Sequence, residues 1–191
     1  MPGSPVYLSR SDNPKRKLKY TLEIIDVNGV LVGIHTGHPN KLVEEAILNG
    51  VISELQGYTE IRREIKYGQN SRVDLLLQGD GLKDCFVEVK NVTLAENGVA
   101  LFPDAVTVRG QKHLNELMEM VQKGFRAAMV FVIQRSDVNS FSPAYSIDPE
   151  YGRLLKLALE NSVEVVAYQA KVTLEEILLS NPLPVFLNGT P

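Results

Sequence analysis

Three short strand-like segments lie close together near the middle of the chain, and they limit its fold more than any other feature. They span residues 61–67, 72–78 and 85–92, and their length and apolar spacing are typical of β-strands. The breaks between them are too short for the crossover connection that parallel neighbours need. The sequence therefore predicts a three-stranded antiparallel meander.

Helix-like and strand-like segments flank this meander. Asn40 is a good N-cap for a helix that runs to Gly50, and residues 109–124 have the apolar spacing of an amphipathic helix. Residues 127–134 are apolar in both phases, as in a strand covered on both faces. The order αβββαβ is the core order of restriction-endonuclease-like folds. We therefore predict an α/β fold with a mixed sheet and helices on both of its faces.

The C-terminal part continues the alternation of helices and strands. Asp148-Pro149 marks the start of a helix, because aspartate is a favoured cap and proline fits the first turn. Residues 163–169 follow as a strand, and we predict a short helix capped by Thr173. Residues 135–148 are predicted to form a loop.

The first 38 residues have a different pattern. A β-rich stretch over residues 21–36 is interrupted by Asn28-Gly29, which is a strong signal for a two-residue hairpin turn. One hairpin is too small to be stable alone in water. We therefore divide the chain into a β segment over residues 1–38 and a larger domain over residues 39–191. The segment is expected to pack on that domain or to be the remnant of a larger β domain.

The composition is that of an ordinary globular protein. The 191 residues are 44% hydrophobic and 23% charged, and the net charge is −3 at pH 7. This charge excludes a protein that coats nucleic acid through bulk positive charge, so nucleic-acid binding needs a local basic surface. The start lacks an apolar signal region, and no apolar run approaches membrane-spanning length. These features predict a cytoplasmic protein without a membrane partner.

Two strands of the predicted meander each carry a carboxylate in apolar surroundings, Asp74 and Glu88. Lys90 shares a strand face with Glu88 because alternate residues point the same way. Carboxylates on adjacent strands can hold a hard cation such as Mg²⁺ or Mn²⁺, and a nearby lysine can assist an attacking water. The pattern predicts a metal-dependent nuclease site, with an ordinary strand ion pair as the alternative. A third carboxylate, Glu44 or Glu45, would come from the first helix, and spacing leaves that choice open.

Two basic groups are candidates for contacts with nucleic-acid phosphates. On the second predicted helix they are Arg109, Lys112 and His113. In the N-terminal segment they are Lys15, Arg16 and Lys17. Arginine suits bidentate contacts with phosphate oxygens, and histidine can carry a proton near neutral pH. The alternative for both groups is an ordinary solvated surface.

Cysteine and histidine positions predict no further site. Cys85 is the single cysteine and lies in an apolar strand, where a buried side chain is expected and no internal disulfide can form. His35 and His38 precede the first helix without the Cys/His spacing of a zinc site. We therefore predict that both histidines are loop residues.

Several long blocks of the sequence are similar to those of one known family. The block EVKNVTLAENGVALFPDAVTVRGQKHLNEL resembles the signature block of the sugar fermentation stimulation protein A (SfsA) family. The blocks NKLVEEAILNGVISELQGY, EIKYGQNSRVDLLL and FSPAYSIDPEYGRLL agree as well. The resemblance implies a PD-(D/E)xK nuclease-like domain preceded by an OB-like domain. Residues 1–38 would be a partial, N-terminally truncated OB-like segment, because family members ordinarily have further chain before it.

The resemblance also implies roles for particular residues. Asp74, Glu88 and Lys90 match the catalytic motif of the superfamily, and Glu45 matches its helix glutamate, which makes Asp74, Glu88 and Glu45 the implied metal ligands. The stretch RGxKHL that the family shares contains Arg109, Lys112 and His113.

The function implied by the resemblance is that of a prokaryotic, cytoplasmic DNA-binding protein associated with the regulation of sugar (maltose) metabolism. Its site would be a nuclease site that depends on Mg²⁺ or Mn²⁺. The alternative is a non-catalytic DNA-binding transcriptional regulator that retains the nuclease fold. RNA is not excluded as a partner, and the oligomeric state is left open, a homodimer included.

Overall fold

The structure, a computed structural model, describes residues 3–68 and 71–187. The α-helices in these ranges are α1 (Pro39–Leu48), α2 (Val108–Gln122) and α3 (Pro149–Glu160), and a 3₁₀ turn spans Ser53–Leu55. The strands are β1 (Val6–Arg10), β2 (Tyr20–Val27), β3 (Val30–Gly33), β4 (Glu60–Tyr67), β5 (Ser71–Gln78), β6 (Cys85–Val92), β7 (Leu94–Glu96), β8 (Val99–Phe102), β9 (Arg126–Ile133), β10 (Ser140–Pro143), β11 (Glu164–Val172) and β12 (Ile177–Leu183). None of the described helices has the length and apolar character needed to cross a membrane.

The main sheet has six strands in the order β12-β11-β9-β6-β5-β4. Its strands β4, β5 and β6 are successive antiparallel neighbours, which confirms the predicted meander. Strand β9 pairs in parallel with both β6 and β11, and β12 pairs antiparallel with β11 at the edge. The restriction-endonuclease-like mixed sheet predicted from the order of elements is therefore confirmed.

The main sheet is covered on both faces. On one face α1 contributes Leu42, Val43 and Ile47 to the core, and on the other α2 contributes Leu114 and Leu117. Burying each of these side chains stabilises the fold by about 1.5–3 kcal/mol. Almost all of β9 is buried between the two cores, because both of its faces are apolar. The central strands are thus held rigidly, and side chains at their ends keep fixed positions.

A small sheet forms in segments without a clear sequence pattern. It has the order β10-β8-β7, with β8 and β10 in parallel. The loop predicted over residues 135–148 is therefore wrong in part, since β10 lies within it. Strands of three or four residues are too short to show a period, and their pairing joins distant parts of the chain.

The short helix predicted after Thr173 is wrong, because the segment forms strand β12. The Thr173 side chain accepts hydrogen bonds from the amides of Glu175 and Glu176, and so shapes the turn between β11 and β12. A threonine that bonds to following amides suits a tight turn as well as a helix start. The apolar run after it was too short to distinguish a helix from a strand.

The N-terminal segment forms a sheet of its own, in the order β1-β2-β3. The predicted hairpin joins β2 to β3, and Asn28 and Gly29 both have the positive φ that its turn requires. Gly33 at the end of β3 donates to the Gln134 carbonyl at 2.9 Å. A Cβ at Gly33 would lie 2.4 Å from Gln134 Oε1, so this close approach requires glycine. The segment therefore packs directly on the main domain.

Candidate active site

Asp74 lies on β5, where the pairing between β5 and β6 ends. The ladder joins Leu75–Leu77 to Cys85–Val87, and beyond it Asp74 Oδ2 accepts the Val89 amide at 2.8 Å. Its other oxygen, Oδ1, accepts from Asn40 Nδ2 at 2.9 Å. The carboxylate is thus fixed between the start of α1 and the backbone of β6.

Glu88 follows on β6 and is almost fully buried, at 2% exposure. Its Oε1 accepts from Lys90 Nζ at 2.7 Å and is in close contact with His113 Nδ1. Its other oxygen, Oε2, is buried without a hydrogen-bond partner among the described residues. A buried carboxylate oxygen without a partner is costly, so this atom fits a cation or a water bound to one.

His113 connects Glu88 to the protein surface. It lies on α2 at 3% exposure, and its Nε2 accepts from Arg109 Nε at 3.3 Å, one helical turn earlier. Because Nε2 accepts, the neutral ring has its proton on Nδ1 and donates it to Glu88. Arg109 is exposed. A hydrogen-bonded chain therefore runs from a surface guanidinium to the buried carboxylate.

The two carboxylates have different electrostatic surroundings. Burial and the nearby charge of Glu88 raise the pKa of Asp74 above its usual value. Burial also raises the pKa of Glu88, but His113 and Lys90 outweigh it and bring the net pKa below the usual value. The mutual repulsion, the unpartnered oxygen and the all-oxygen donor set fit a hard divalent cation between the two strands.

The two candidates for the third carboxylate, Glu44 and Glu45, lie on different sides of α1. Asn40, the residue of α1 that contacts Asp74, lies about 40° around the helix from Glu44 and about 140° from Glu45. The Glu44 carboxylate contacts Arg63, and Glu45 pairs with Lys41 at 3.4 Å. Asn40 is also not the N-cap predicted from the sequence, because His38 takes that position and Pro39 begins the helix.

The basic residues predicted to contact phosphate divide into two locations. Arg109 and Lys112 lie exposed on α2, and Lys112 is 3.5 Å from Glu116. The second location is the turn between β1 and β2, where Lys15, Arg16 and Lys17 are all exposed. Of the three residues predicted on α2, Arg109 and Lys112 are therefore available to solvent, whereas His113 is buried.

Tyr67 lies near enough to Glu88 to be affected by its charge, and the sequence did not single it out. It is buried at the end of β4, and its hydroxyl has no hydrogen-bond partner among the described residues. Burial and the negative charge of Glu88 raise the pKa of Tyr67. With Lys66 and Arg72 it lines a cavity of about 410 Å³. In the sequence, Tyr67 was indistinguishable from an ordinary core residue of a strand.

The fold and the site together define a restriction-endonuclease-like domain of the PD-(D/E)xK type, with one carboxylate on each of two adjacent strands and a lysine two residues after the second. The family model described as the sugar fermentation stimulation protein RE domain matches residues 37–176. A second model, described as the SfsA N-terminal OB domain, matches residues 1–34. The chain belongs to the sugar fermentation stimulation protein (SfsA) family.

Relatives are similar in sequence to this chain over nearly its whole length. A sugar fermentation stimulation protein homolog of Geotalea daltonii is 61% identical over 188 residues, which cover 98% of this chain and 80% of the relative. The homolog of Geobacter sulfurreducens is 60% identical over 184 residues, covering 96% and 78%. The solved structure of Pyrococcus furiosus SfsA in complex with Ca²⁺ is 34% identical, with a TM-score of 0.89, and the match covers 97% of this chain and 79% of that one.

Proposed function

We propose that this protein is a DNA-binding, metal-dependent phosphodiesterase, with RNA as a further substrate to be tested. The observation that carries the proposal is Glu88 Oε2, a buried carboxylate oxygen without a partner, beside a second carboxylate and a lysine. The Ca²⁺ complex of the Pyrococcus furiosus relative supports it, because Ca²⁺ and Mg²⁺ share a preference for oxygen ligands.

Asp74 and Glu88 would hold the ion, Mg²⁺ or Mn²⁺. When bound, it would activate a water and neutralise charge on the phosphate. Asn40 and the Val89 amide orient Asp74, and His113 orients Glu88. In this proposal the third carboxylate comes from α1. The family pattern points to Glu45, whereas the position of Asn40 on the helix points to Glu44.

Lys90 is the catalytic cation of the proposal. Its side chain is only 13% exposed, and its ammonium lies 2.7 Å from Glu88 Oε1. A lysine held in a protected site stabilises negative charge on a reacting phosphate more strongly than one in water. It would also orient the attacking water.

Contacts with the nucleic-acid backbone are assigned to the exposed basic residues. Arg109 and Lys112 project from the helix that also carries His113, so a phosphate bound there would lie near the carboxylates. The residues assigned in the N-terminal segment are Lys15, Arg16 and Lys17. Local basic groups of this kind give affinity without a positive net charge.

The alternative is a DNA-binding regulator without cleavage, in keeping with the family's association with sugar (maltose) use. One observation favours it. Glu88 Oε1 already contacts Lys90 and His113, and both oxygens of Asp74 accept hydrogen bonds. Internal partners therefore satisfy three of the four carboxylate oxygens without an ion.

Incubation with single- and double-stranded DNA and RNA separates the two functions. Each substrate is tested with Mg²⁺, Mn²⁺ or EDTA, beside the Asp74→Ala variant. Cleavage that requires the metal and is lost in the variant supports the enzyme. Tight DNA binding with intact substrate under every condition supports the regulator and rejects the nuclease proposal.

A further inference from the structure

A second cluster of metal-ligating side chains lies where the N-terminal segment meets α1. Glu23 comes from β2, and His35 and His38 come from the loop before α1. Their ligand atoms all lie within 4.8 Å of one another, and within residues 3–68 and 71–187 this is the only group of three or more that meets this limit. We propose that Glu23, His35 and His38 bind a divalent transition-metal ion, with Zn²⁺ as the best match.

The distances require only a small adjustment for such an ion. His38 Nε2 lies 2.7 Å from Glu23 Oε2, and the two histidine rings are 4.4 Å apart. Tetrahedral Zn²⁺ places its ligand atoms about 3.3 Å from one another. Two imidazoles and one carboxylate are a known zinc ligand set, which leaves the fourth position to water. The side chains of His38 and Glu23 are 38% and 20% exposed, so an ion can reach them from solvent.

Neighbouring groups hold the ligands in place. Ser9 Oγ donates to Glu23 Oε1 at 2.6 Å, which leaves Oε2 directed at His38. Outer hydrogen bonds of this kind orient metal ligands.

Gly37 makes room for the His35 ring. A Cβ at this position would lie 2.7 Å from His35 Cε1, so any other residue pushes the ring away. The Gly37 amide donates to His35 Nδ1 at 3.2 Å, a bond that is lost when the ring turns its lone pair to an ion. Gly37 is exposed, so water replaces that bond at little cost.

The groove beside the cluster has a negative character. It has a volume of about 270 Å³, and its lining includes Glu45, Glu175 and Glu176 together with Lys41. A negative groove raises the local concentration of cations. Because Glu23 belongs to the N-terminal segment and His38 caps α1, the ion would also fasten that segment to the main domain and raise the melting temperature.

Zinc titration of the full chain tests the proposal, after treatment with EDTA and with Mg²⁺ in excess to compete at Asp74 and Glu88. Calorimetry measures affinity and stoichiometry, and the intensity of the visible spectrum of bound Co²⁺ distinguishes a tetrahedral site from an octahedral one. The variants are His35→Gln, which removes a ligand, and Gly37→Ala, which removes none but displaces the His35 ring. Glu160→Gln is the matched control, because it removes an exposed carboxylate at the end of α3.

We expect one Zn²⁺ per chain and a rise in melting temperature in the wild type, Glu160→Gln and Asp74→Asn proteins. His35→Gln and Gly37→Ala should weaken Zn²⁺ binding by more than about tenfold. Equal zinc affinity in the wild type and both loop variants overturns the proposal, as does the absence of stoichiometric binding in the wild type. Loss of binding in Asp74→Asn overturns it as well, because the ion would then occupy the carboxylate site of the main sheet.

Discussion

The Val89 amide donates to Asp74 Oδ2 at 2.8 Å, so a side chain of one strand takes the hydrogen bond that a backbone carbonyl would otherwise accept. The ladder between β5 and β6 extends only from Leu75 to Leu77 on the β5 side. The backbone pairing of β5 with β6 therefore ends beside Asp74 and Glu88. The hydrogen bond from Val89 to Asp74 thus both ends the ladder between β5 and β6 and positions the Asp74 carboxylate.

Asp74→Asn should retain the fold and lose the metal. The amide oxygen of asparagine can still accept the Val89 N–H, but the charge that attracts the cation is gone. We expect Mg²⁺ or Mn²⁺ affinity and any cleavage to fall by at least about a hundredfold, with little change in melting temperature. Asp84→Asn is the control at the other end of the meander, where Asp84 accepts from Gln78 at 2.8 Å. An equal loss of metal in both variants would contradict the assigned site.

His113→Ala should destabilise the protein and weaken the ion site together. The change removes a buried partner of Glu88 and leaves its Oε1 with Lys90 alone. We expect the free energy of unfolding in urea to fall by about 1–3 kcal/mol, and metal affinity to fall by about tenfold to a hundredfold. Arg109→Gln removes only the outer bond of the chain and should have a smaller effect on both. A metal affinity unchanged in His113→Ala contradicts the orienting role.

The third carboxylate can be identified by a pair of neighbouring substitutions. Since Glu44 lies about 40° and Glu45 about 140° around the helix from Asn40, Glu44→Gln should weaken Mg²⁺ binding more than Glu45→Gln. The measurement is calorimetric titration of both variants. The reverse order would support Glu45, as the family pattern implies, and would require α1 to rotate when the ion binds.

Arg109→Gln and Lys112→Gln should each weaken binding to DNA of any sequence. Each removes one cation that releases a counterion from the DNA backbone, so the slope of log affinity against log salt should fall by about one per substitution. Fluorescence anisotropy at several salt concentrations measures both quantities. Lys123→Gln, just beyond the C-terminal end of the same helix, serves as the matched control. If all three variants have the same salt slope as the wild type, the DNA does not contact Arg109 or Lys112.

Asp148 should make stability depend on pH in the acid range. It caps α3 by accepting the Tyr151 amide at 2.9 Å, and it also accepts the Thr107 amide at the start of α2. Burial raises its pKa, but these hydrogen bonds outweigh it and bring the pKa below the usual value. A lowered pKa in the folded state means that its contribution is complete well above the unfolded-state pKa of about 3.9 and is lost as the pH falls through the folded pKa.

Asp148→Asn should remove this part of the acid dependence and lower the free energy of unfolding at pH 7 by about 1–3 kcal/mol, because its single side-chain oxygen cannot accept both the Thr107 and the Tyr151 amides. Urea unfolding between pH 2.5 and pH 7 in buffers of roughly equal ionic strength gives both results. Asp104→Asn, an exposed aspartate before α2, is the control. Parallel stability curves for wild type and Asp148→Asn would contradict the assignment.

The main sheet could be predicted from the sequence because its signals are local. Strand-like segments of seven or eight residues with short breaks leave few alternatives to a meander, and Asp74, Glu88 and Lys90 stand out because they lie among the apolar residues of the second and third segments. The contacts between Asn40 and Asp74 and between Glu23 and His38 join residues 34 and 15 positions apart. Such contacts follow only from tertiary packing. The strands β7, β8 and β10 were missed for the same reason.

Gln134 connects the N-terminal sheet to the main sheet. Its carbonyl accepts Gly33 of the N-terminal sheet, its amide donates to the Val92 carbonyl at the end of β6, and its side chain donates to Asn91 at 2.7 Å. One residue thus links β3 to the strand that carries Glu88 and Lys90. In the proposed function, a nucleic acid bound by the basic residues of the β1–β2 turn would therefore lie at a fixed distance from the site formed by Asp74, Glu88 and Lys90.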